Sequence, residues 1–283
     1  MEEINGFSIG GNKIHAVAIK DVLRQIQEWI EEKSKTHYVV AANVHVVMEG
    51  YQNEKMKATL GQADLVTPDG MPLVFVGRLR GFPLRHRTDG PGLMAAALEQ
   101  GAPIGWRHYF YGSTPEVLAV LQSQIRERWP NIKIAGSYSP PFRPLTIEED
   151  QAVVKQINAA SADILWVGLG CPKQEHWMFD HKNTLRIPVM LGVGQAFDLL
   201  AGTKQRAPRW MCNYGLEWFY RLIHEPRRLW KRYFLYNPWF IVLVLYEQII
   251  WLWEKKRKIS FWFTEKKRGD QMVEGGMNNG NKG

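Results

Sequence analysis

ILWVGLGCPKQEHWMFDHKNTLRIPVMLGVGQAFDLL, residues 164–200, reads as one structural unit written twice. An apolar run (164–167) meets the glycine-bearing turn Gly168-Leu169-Gly170-Cys171-Pro172, and a helical stretch (173–180) follows. A second run (189–191) meets Gly192-Val193-Gly194-Gln195 ahead of another helical stretch (196–200). Apolar runs without polar alternation suit strands buried on both faces. Parallel strands need a crossover between them, and the helix is that crossover. Upstream the alternation repeats, with strand 108–111 and helix 115–128, then strand 132–137 and helix 147–160. The expected fold class is α/β, a Rossmann-like parallel sheet flanked by helices, with a C-terminal helical appendage that associates with membrane.

The N-terminal part extends the pattern. Residues 7–9 and 14–18 suggest a small hairpin, and 21–32 an amphipathic helix with Asp21 suited to cap it. Strand 38–42 ends at Asn43, and helix 44–60 follows; strand 64–66 ends in Thr67-Pro68-Asp69-Gly70, ahead of helix 72–79. Pro68 fixes its own φ and pushes Thr67 toward extended backbone, while Gly70 permits a tight turn. Asn43 and Asp69 therefore both stand just past the C-terminal ends of neighbouring strands, the edge where open α/β sheets hold ligands. On local grounds alone, Pro-Asp-Gly is also a common turn and Asn a common helix cap. The loop 81–92, dense in Gly, Pro and cations, suits either a cover over an anionic ligand or a solvated connector.

A chain of 283 residues with 45% hydrophobic and 23% charged residues can bury a sizeable core. Its two cysteines, Cys171 and Cys212, give no disulfide framework or zinc-ligand spacing, which fits a reducing cytoplasm, and the acidic N-terminus lacks the pattern of a secretion signal. The net charge of +8 is uneven: residues 204–283 carry 16 Lys and Arg against 7 acidic residues, leaving 20 against 21 before them. Seven of the twelve tryptophans also fall after residue 204, and Trp with Lys and Arg is the composition of a membrane interface. The apolar runs 238–246 and 249–253, split by Glu247-Gln248, read as an interfacial or re-entrant helix, flanked by cations including Lys255-Lys256-Arg257-Lys258 and facing an anionic membrane surface. A homo-oligomer interface covering the same aromatics is the competing reading. Nucleic acid is not expected as a partner, because the tail contains a continuous apolar run and no recognised reading motif. Residues 269–283 look disordered.

Three strand ends run into Gly-bearing turns suited to phosphate: Gly112-Ser113-Thr114, Gly168-Leu169-Gly170 and Gly192-Val193-Gly194. None completes G-x-G-x-x-G, and no P-loop is present, which disfavours hydride transfer and P-loop NTPase chemistry. No Asp-x-Asp pair is present to hold a divalent ion on a sugar-nucleotide, so cations would have to take that charge. Arg221, Arg228 and Arg232 share a helical face if Pro226 only kinks the helix, with Lys231 close by; the plainer alternative is a solvated basic face.

Taken together, Asn43, the 64–70 stretch, the 168–175 stretch, Gly192-Val193-Gly194-Gln195-Ala196-Phe197-Asp198, Arg206-Ala207-Pro208 and the 215–222 stretch resemble, in order and spacing, the WecG/TagA/CpsF glycosyltransferases, over roughly residues 5–235. The resemblance implies an inverting, metal-independent enzyme with no cofactor, moving a sugar from a UDP-sugar donor to a polyprenyl-diphosphate-linked acceptor in cell-surface polysaccharide synthesis at the cytoplasmic face of the membrane. It implies Asp69 as the general base, and Asn43, Gln174 and Asp198 as substrate contacts. Arg221, Arg228 and Lys231 become cations of an appendage that closes over the leaving diphosphate. The expected division is a core over 1–203, a basic appendage over 204–235, a membrane-interface segment over 236–268 and a tail over 269–283. Relatives often read Thr-x-Asn where this chain has Ala41-Ala42-Asn43, which leaves N-acetylmannosamine, glucose and uronic acid donors open. A non-catalytic UDP-sugar sensor or a basic nucleic-acid-binding protein is the alternative function.

Overall fold

Six strands, all but the edge strand β6 buried along most of their length, pair into one parallel sheet of order β4-β3-β8-β7-β5-β6 in a computed structural model, which describes residues 4–277, with side chains through residue 253 apart from that of residue 209. The strands are β3 (His37–Ala42), β4 (Leu65–Pro68), β5 (Arg107–Gly112), β6 (Lys133–Tyr138), β7 (Ile164–Gly168) and β8 (Val189–Gly192). Before them stands the antiparallel hairpin β1 (Gly6–Ile9) and β2 (Asn12–His15). Because β4 is an edge strand, its outward N–H groups need partners. One finds His15, whose Nδ1 accepts from the Val66 N–H at 2.9 Å. Burial pushes His15 down to about 4, so its ring is neutral and free to accept.

The helices between strands are α1 (Ile19–Glu32), α2 (Val44–Gln52), α3 (Glu54–Gly61), α4 (Met71–Leu79), α5 (Gly90–Ile104), α6 (Pro115–Arg128), α7 (Ile147–Ala159) and α8 (Lys173–His181), and α9 (Ala196–Leu200) follows the last strand. Helix α1 starts earlier than expected; Asp21 lies in its first turn, and its carboxylate accepts from the Ala18 N–H at 3.0 Å. The single helix expected over 44–60 breaks at Asn53, whose side chain leaves the helix to accept from the Met56 N–H and cap α3. Helix α5 begins inside the loop expected over 81–92. Its opening Gly90-Pro91-Gly92 disguises it, yet Asp89 caps it through the Gly92 N–H at 3.1 Å, and Gly90 lies so close to Val193 that a Cβ would meet the Val193 carbonyl oxygen at 3.0 Å. The main core packs α1, α5 and α6 against the sheet around Phe110, Trp166 and Phe197; Phe110 and Phe197 meet edge to face at 5.8 Å.

After α9 come α10 (Arg209–Asn213), α11 (Glu217–His224) and α12 (Pro226–Met277). Pro226 ends the preceding helix rather than kinking it, with Glu225 at φ −133 between α11 and α12. The chain divides after Asn237 into two compact units. The second begins within α12, whose segment Pro226–Trp253, 28 residues, is long and apolar enough to cross a membrane by length and composition. The two apolar runs are thus parts of one helix, longer than an interfacial or re-entrant reading requires. Its backbone takes in 269–277 of the stretch expected to be disordered. Residues 278–283 and the side chains of Lys255-Lys256-Arg257-Lys258 lie outside the described part of the chain.

The turns at the sheet's C-terminal edge depend on close backbone approach. At Gly112, φ is +124 and a Cβ would lie 2.6 Å from the Gly168 backbone; at Gly170, φ is +80 with open space around it. Gly112→Ala is therefore expected to destabilise the fold by well over the roughly 1–2 kcal/mol of left-handed strain alone, and Gly170→Ala by about that strain. Urea unfolding of the two variants should rank them in that order.

Candidate active site

Strand register sets the site. β3 and β4 end side by side, with Ala42 opposite Pro68, and the Asp69 N–H donates to the Ala42 carbonyl at 2.8 Å. Asn43 and Asp69 follow immediately, so the two turns nearly touch: a Cβ on Gly70 would lie 3.6 Å from the Asn43 Cβ. Asn43 caps α2, its Oδ1 accepting from the His45 and Val46 N–H groups at 3.0 and 3.3 Å and from Arg232 Nη2 at 3.2 Å. With its oxygen committed, the amide N–H₂ is the end left to bond the Asp69 carboxylate.

A strap after α4 brings the next charge. The Thr88 N–H donates to Pro68 O at 2.9 Å, Thr67 Oγ1 to Thr88 O at 3.0 Å, and Thr88 Oγ1 to Val17 O at 2.7 Å. These bonds fix Arg87 beside Asp69. Arg87 pairs with Asp89 at 3.1 Å and with Glu217 at the start of α11; Asp89 also holds Arg206. Two guanidiniums and two carboxylates thus tie the strap to the chain that enters α11. Burial works against the Glu217 charge, but Arg87 and Arg206 more than offset it and hold Glu217 below the usual carboxylate range.

Asp69 is pushed the other way, up to about 6. Burial is the largest cause; the Glu217 charge adds to it, while Arg87, Arg221 and the Asn43 bond oppose it without cancelling it. A carboxylate near neutrality within reach of water is poised to accept a proton.

Two cations stand beside it. Arg221 on α11 and Arg232 on α12 are partly buried, and the Nε of each has no hydrogen-bond partner within the protein. Both bear on His45 at the N-terminus of α2; burial first, then these two cations, push His45 down to about 3, which leaves it neutral. Two guanidiniums with unsatisfied donors at a helix N-terminus suit a diphosphate. The start of α12 is held there by Arg232 on Asn43, by Tyr236 Oη donating to Glu49 at 2.8 Å and by the His45 ring against Tyr236 at 5.2 Å.

Other expected residues stand differently. Gln174 is buried, and its Oε1 accepts from both the Gly170 and Gly194 N–H groups at 3.1 Å, clasping the turns after β7 and β8 together. Its Nε2 donates to Glu175 at 2.9 Å, and burial pushes the Glu175 acid up. Asp198 bonds Thr203 and faces Lys204, which also pairs with Glu225, rather than facing Asp69. Arg228 is exposed and paired with Glu225, and Lys231 is exposed with its ammonium over the Trp230 ring at 5.6 Å. Arg232 takes the inner place instead. The gathering of Arg87, Asp89, Arg206 and Glu217 beside Asp69 escaped the sequence reading, whereas Arg232 was named there with Arg221 and Arg228 on one helical face. Arg206 and Glu217 lie inside the quoted motifs, and Arg87 and Asp89 inside the cationic loop, so that clustering was their only signal. Among the described residues, no three His, Cys, Asp or Glu side chains group so as to hold a metal ion.

The raised value of Asp69 has a sign for stability. The folded state binds its proton more tightly than the unfolded chain, so the benefit is full below the ordinary carboxylate value near 4 and is lost as pH rises toward about 6. Asp69→Asn is accordingly expected to raise stability above pH 7, by on the order of 2–3 kcal/mol, and to change little at pH 4; denaturant titrations at both pH values check it.

The model of the family described as "Glycosyl transferase WecG/TagA/CpsF family" matches residues 7–254. A protein of Bacillus spizizenii named N-acetylglucosaminyldiphosphoundecaprenol N-acetyl-beta-D-mannosaminyltransferase is 33% identical over 76% of this chain and 80% of its own length. Proteins of the same name from Bacillus subtilis and Staphylococcus aureus are each 32% identical, over 83% and 69% of this chain and 86% and 73% of their own lengths. With Asp69, Asn43 and the glycine turns gathered at one sheet edge, and the family model spanning most of its length, the chain belongs to the WecG/TagA/CpsF family of glycosyltransferases.

Proposed function

We propose that this enzyme transfers N-acetylmannosamine from a UDP-sugar to N-acetylglucosamine carried on undecaprenyl diphosphate, inverting the anomeric centre, for a cell-wall polymer. The observation that carries the mechanism is a carboxylate pushed up to about 6 beside two arginines with unsatisfied Nε donors. The names of the relatives supply the sugars and the lipid carrier.

Asp69 takes the proton of the acceptor hydroxyl as its oxygen attacks the anomeric carbon opposite the departing UDP. Arg221, Arg232 and the N-terminus of α2 stabilise the charge that grows on the diphosphate, so no metal ion is required. Asn43 orients the base, and Gln174 holds the two glycine turns against the donor. Arg228 and Lys231 act at the rim, and Asp198 acts through Lys204 on the chain entering α11. The reaction takes place at the cytoplasmic membrane surface, where the lipid-linked acceptor resides. The apolar segment of α12 and exposed aromatics at Trp210, Tyr214, Trp218, Phe219 and Trp230 favour that placement.

A panel of UDP-sugars, offered with a short-chain polyprenyl-diphosphate N-acetylglucosamine, is expected to release UDP fastest from the N-acetylmannosamine donor, with EDTA leaving the rate unchanged. Preference for a glucose or uronic acid donor would overturn the sugar assignment. Asp69→Asn is expected to lower kcat by about 10²–10⁴. For the wild type, kcat/KM should rise through an acid limb near pH 6, since only the ionised Asp69 accepts a proton. Glu217→Gln removes a charge that raises Asp69 and frees Arg87, so both effects move that limb to lower pH. A limb that stays in place or moves upward would contradict the coupling.

A further inference from the structure

The sheet has a second edge, roughly 20 Å from Asp69 along the six residues of β3, where the strands begin rather than end. An open cleft of ≈ 630 Å³ lies there, formed by the segments that lead into β3, β8, β7 and β5, four neighbours in the sheet. Side chains staple those segments to one another. Thr36 Oγ1 donates to the Leu185 carbonyl at 2.7 Å, and the Asp163 carboxylate accepts from the Arg107 N–H at 2.9 Å. Asn158 Nδ2 donates to the Thr184 carbonyl at 3.1 Å, and its Oδ1 accepts from the Arg186 N–H at 2.8 Å. The cleft is therefore shaped before anything enters it.

Its charge is one-sided. Lys33, Lys35, Arg107, Lys182 and Arg186 line it against the carboxylate of Asp163. Lys35 also faces Asp64, but at 3.7 Å, and Arg107 Nε faces Asp163 at the same distance; both carboxylates are already engaged by N–H groups at the starts of β3 and β5. Among the described residues, the Lys33 ammonium and the Arg186 guanidinium have no ion-pair partner. Helices α1, α7 and α8 end at this edge, and a helix C-terminus attracts cations without any ligand. Three such ends carry roughly half a negative charge each, so with Asp64 and Asp163 they offset about three and a half of the five positive charges. A surplus remains. It is spread over four strand starts, roughly 14 Å at the spacing of parallel strands, which is too wide for one phosphate and suits several in a chain.

We propose that this cleft binds a soluble ligand carrying two or more linked phosphate groups. None of its residues belongs to the Asp69 site, so the cleft stands whether or not the donor is a UDP-sugar. Full-length protein is labelled with an amine-reactive reagent in rising concentrations of inorganic triphosphate and digested for mass spectrometry. Lys33, Lys35 and Lys182 are expected to become protected, saturably, while the exposed Lys13 and Lys20 label at an unchanged rate. In a Lys33→Ala/Arg186→Ala double variant, with its fold checked by circular dichroism, the half-protecting concentration for Lys35 and Lys182 should rise by at least about tenfold, the scale of one charged hydrogen bond. Unchanged labelling of the three cleft lysines, equal slowing at all five, or protection indifferent to the double substitution overturns the site. Protection by phosphatidylglycerol vesicles but not by triphosphate overturns the soluble ligand.

Discussion

The ion pair between Arg87 and Glu217 joins two parts of the chain that no sheet hydrogen bond connects, and the site depends on it. Arg87 arrives on a strap pinned to the end of β4, and Glu217 opens the helix that carries Arg221. Buried charges persist only when paired, so each partner fixes the other's place beside Asp69. Arg206 on Asp89 extends the pairing to the stretch ahead of α10. Removal of one partner would leave a partly buried charge uncompensated, a far larger penalty than the pair's own attraction.

Asp69 stands in the field of these charges without being neutralised by any of them. A carboxylate in direct contact with Arg87 alone would fall well below 4 and be a poor base. Because burial disfavours the charge and Glu217, which shares that arginine, adds to the effect, Asp69 is pushed up to about 6. Asp69 is thereby a destabilised group at neutral pH, and the compensating stability comes from the core of α1, α5 and α6 on the sheet. The two arginines with unsatisfied Nε donors come from α11 and α12, beyond the sheet, so in the proposed mechanism binding charge and base are supplied by different layers of one unit.

Much of the fold was legible because the strands are continuous apolar runs and the turns after β5, β7 and β8 carry glycine. Element type followed from that pattern; breaks did not. Asn53 and Pro226 end helices that periodicity alone would continue, one through a side-chain cap and the other through a missing N–H. Helix α5 was hidden because two glycines and a proline form its first turn, where a cap and close packing on Val193 matter more than propensity. Asp69 and Asn43 were readable as strand-end residues, since their place needs only strand lengths. The meetings of Arg87 with Glu217 and of Arg232 with Asn43 were not, because they depend on tertiary reach across more than a hundred residues. Arg232 holds the inward place that a face shared with Arg221 implied, whereas Arg228, expected on the same face, pairs with Glu225 at the surface.

In the proposed mechanism the chain beyond residue 203 completes the active site. The direct measurement is UDP release by a chain ending at Thr203, with circular dichroism confirming that its sheet remains folded. Loss of Glu217, Arg221 and Arg232 together is expected to lower turnover by at least about 10²-fold, the scale on which preorganised charge acts in a transition state. A folded truncation that retained full turnover would contradict the account.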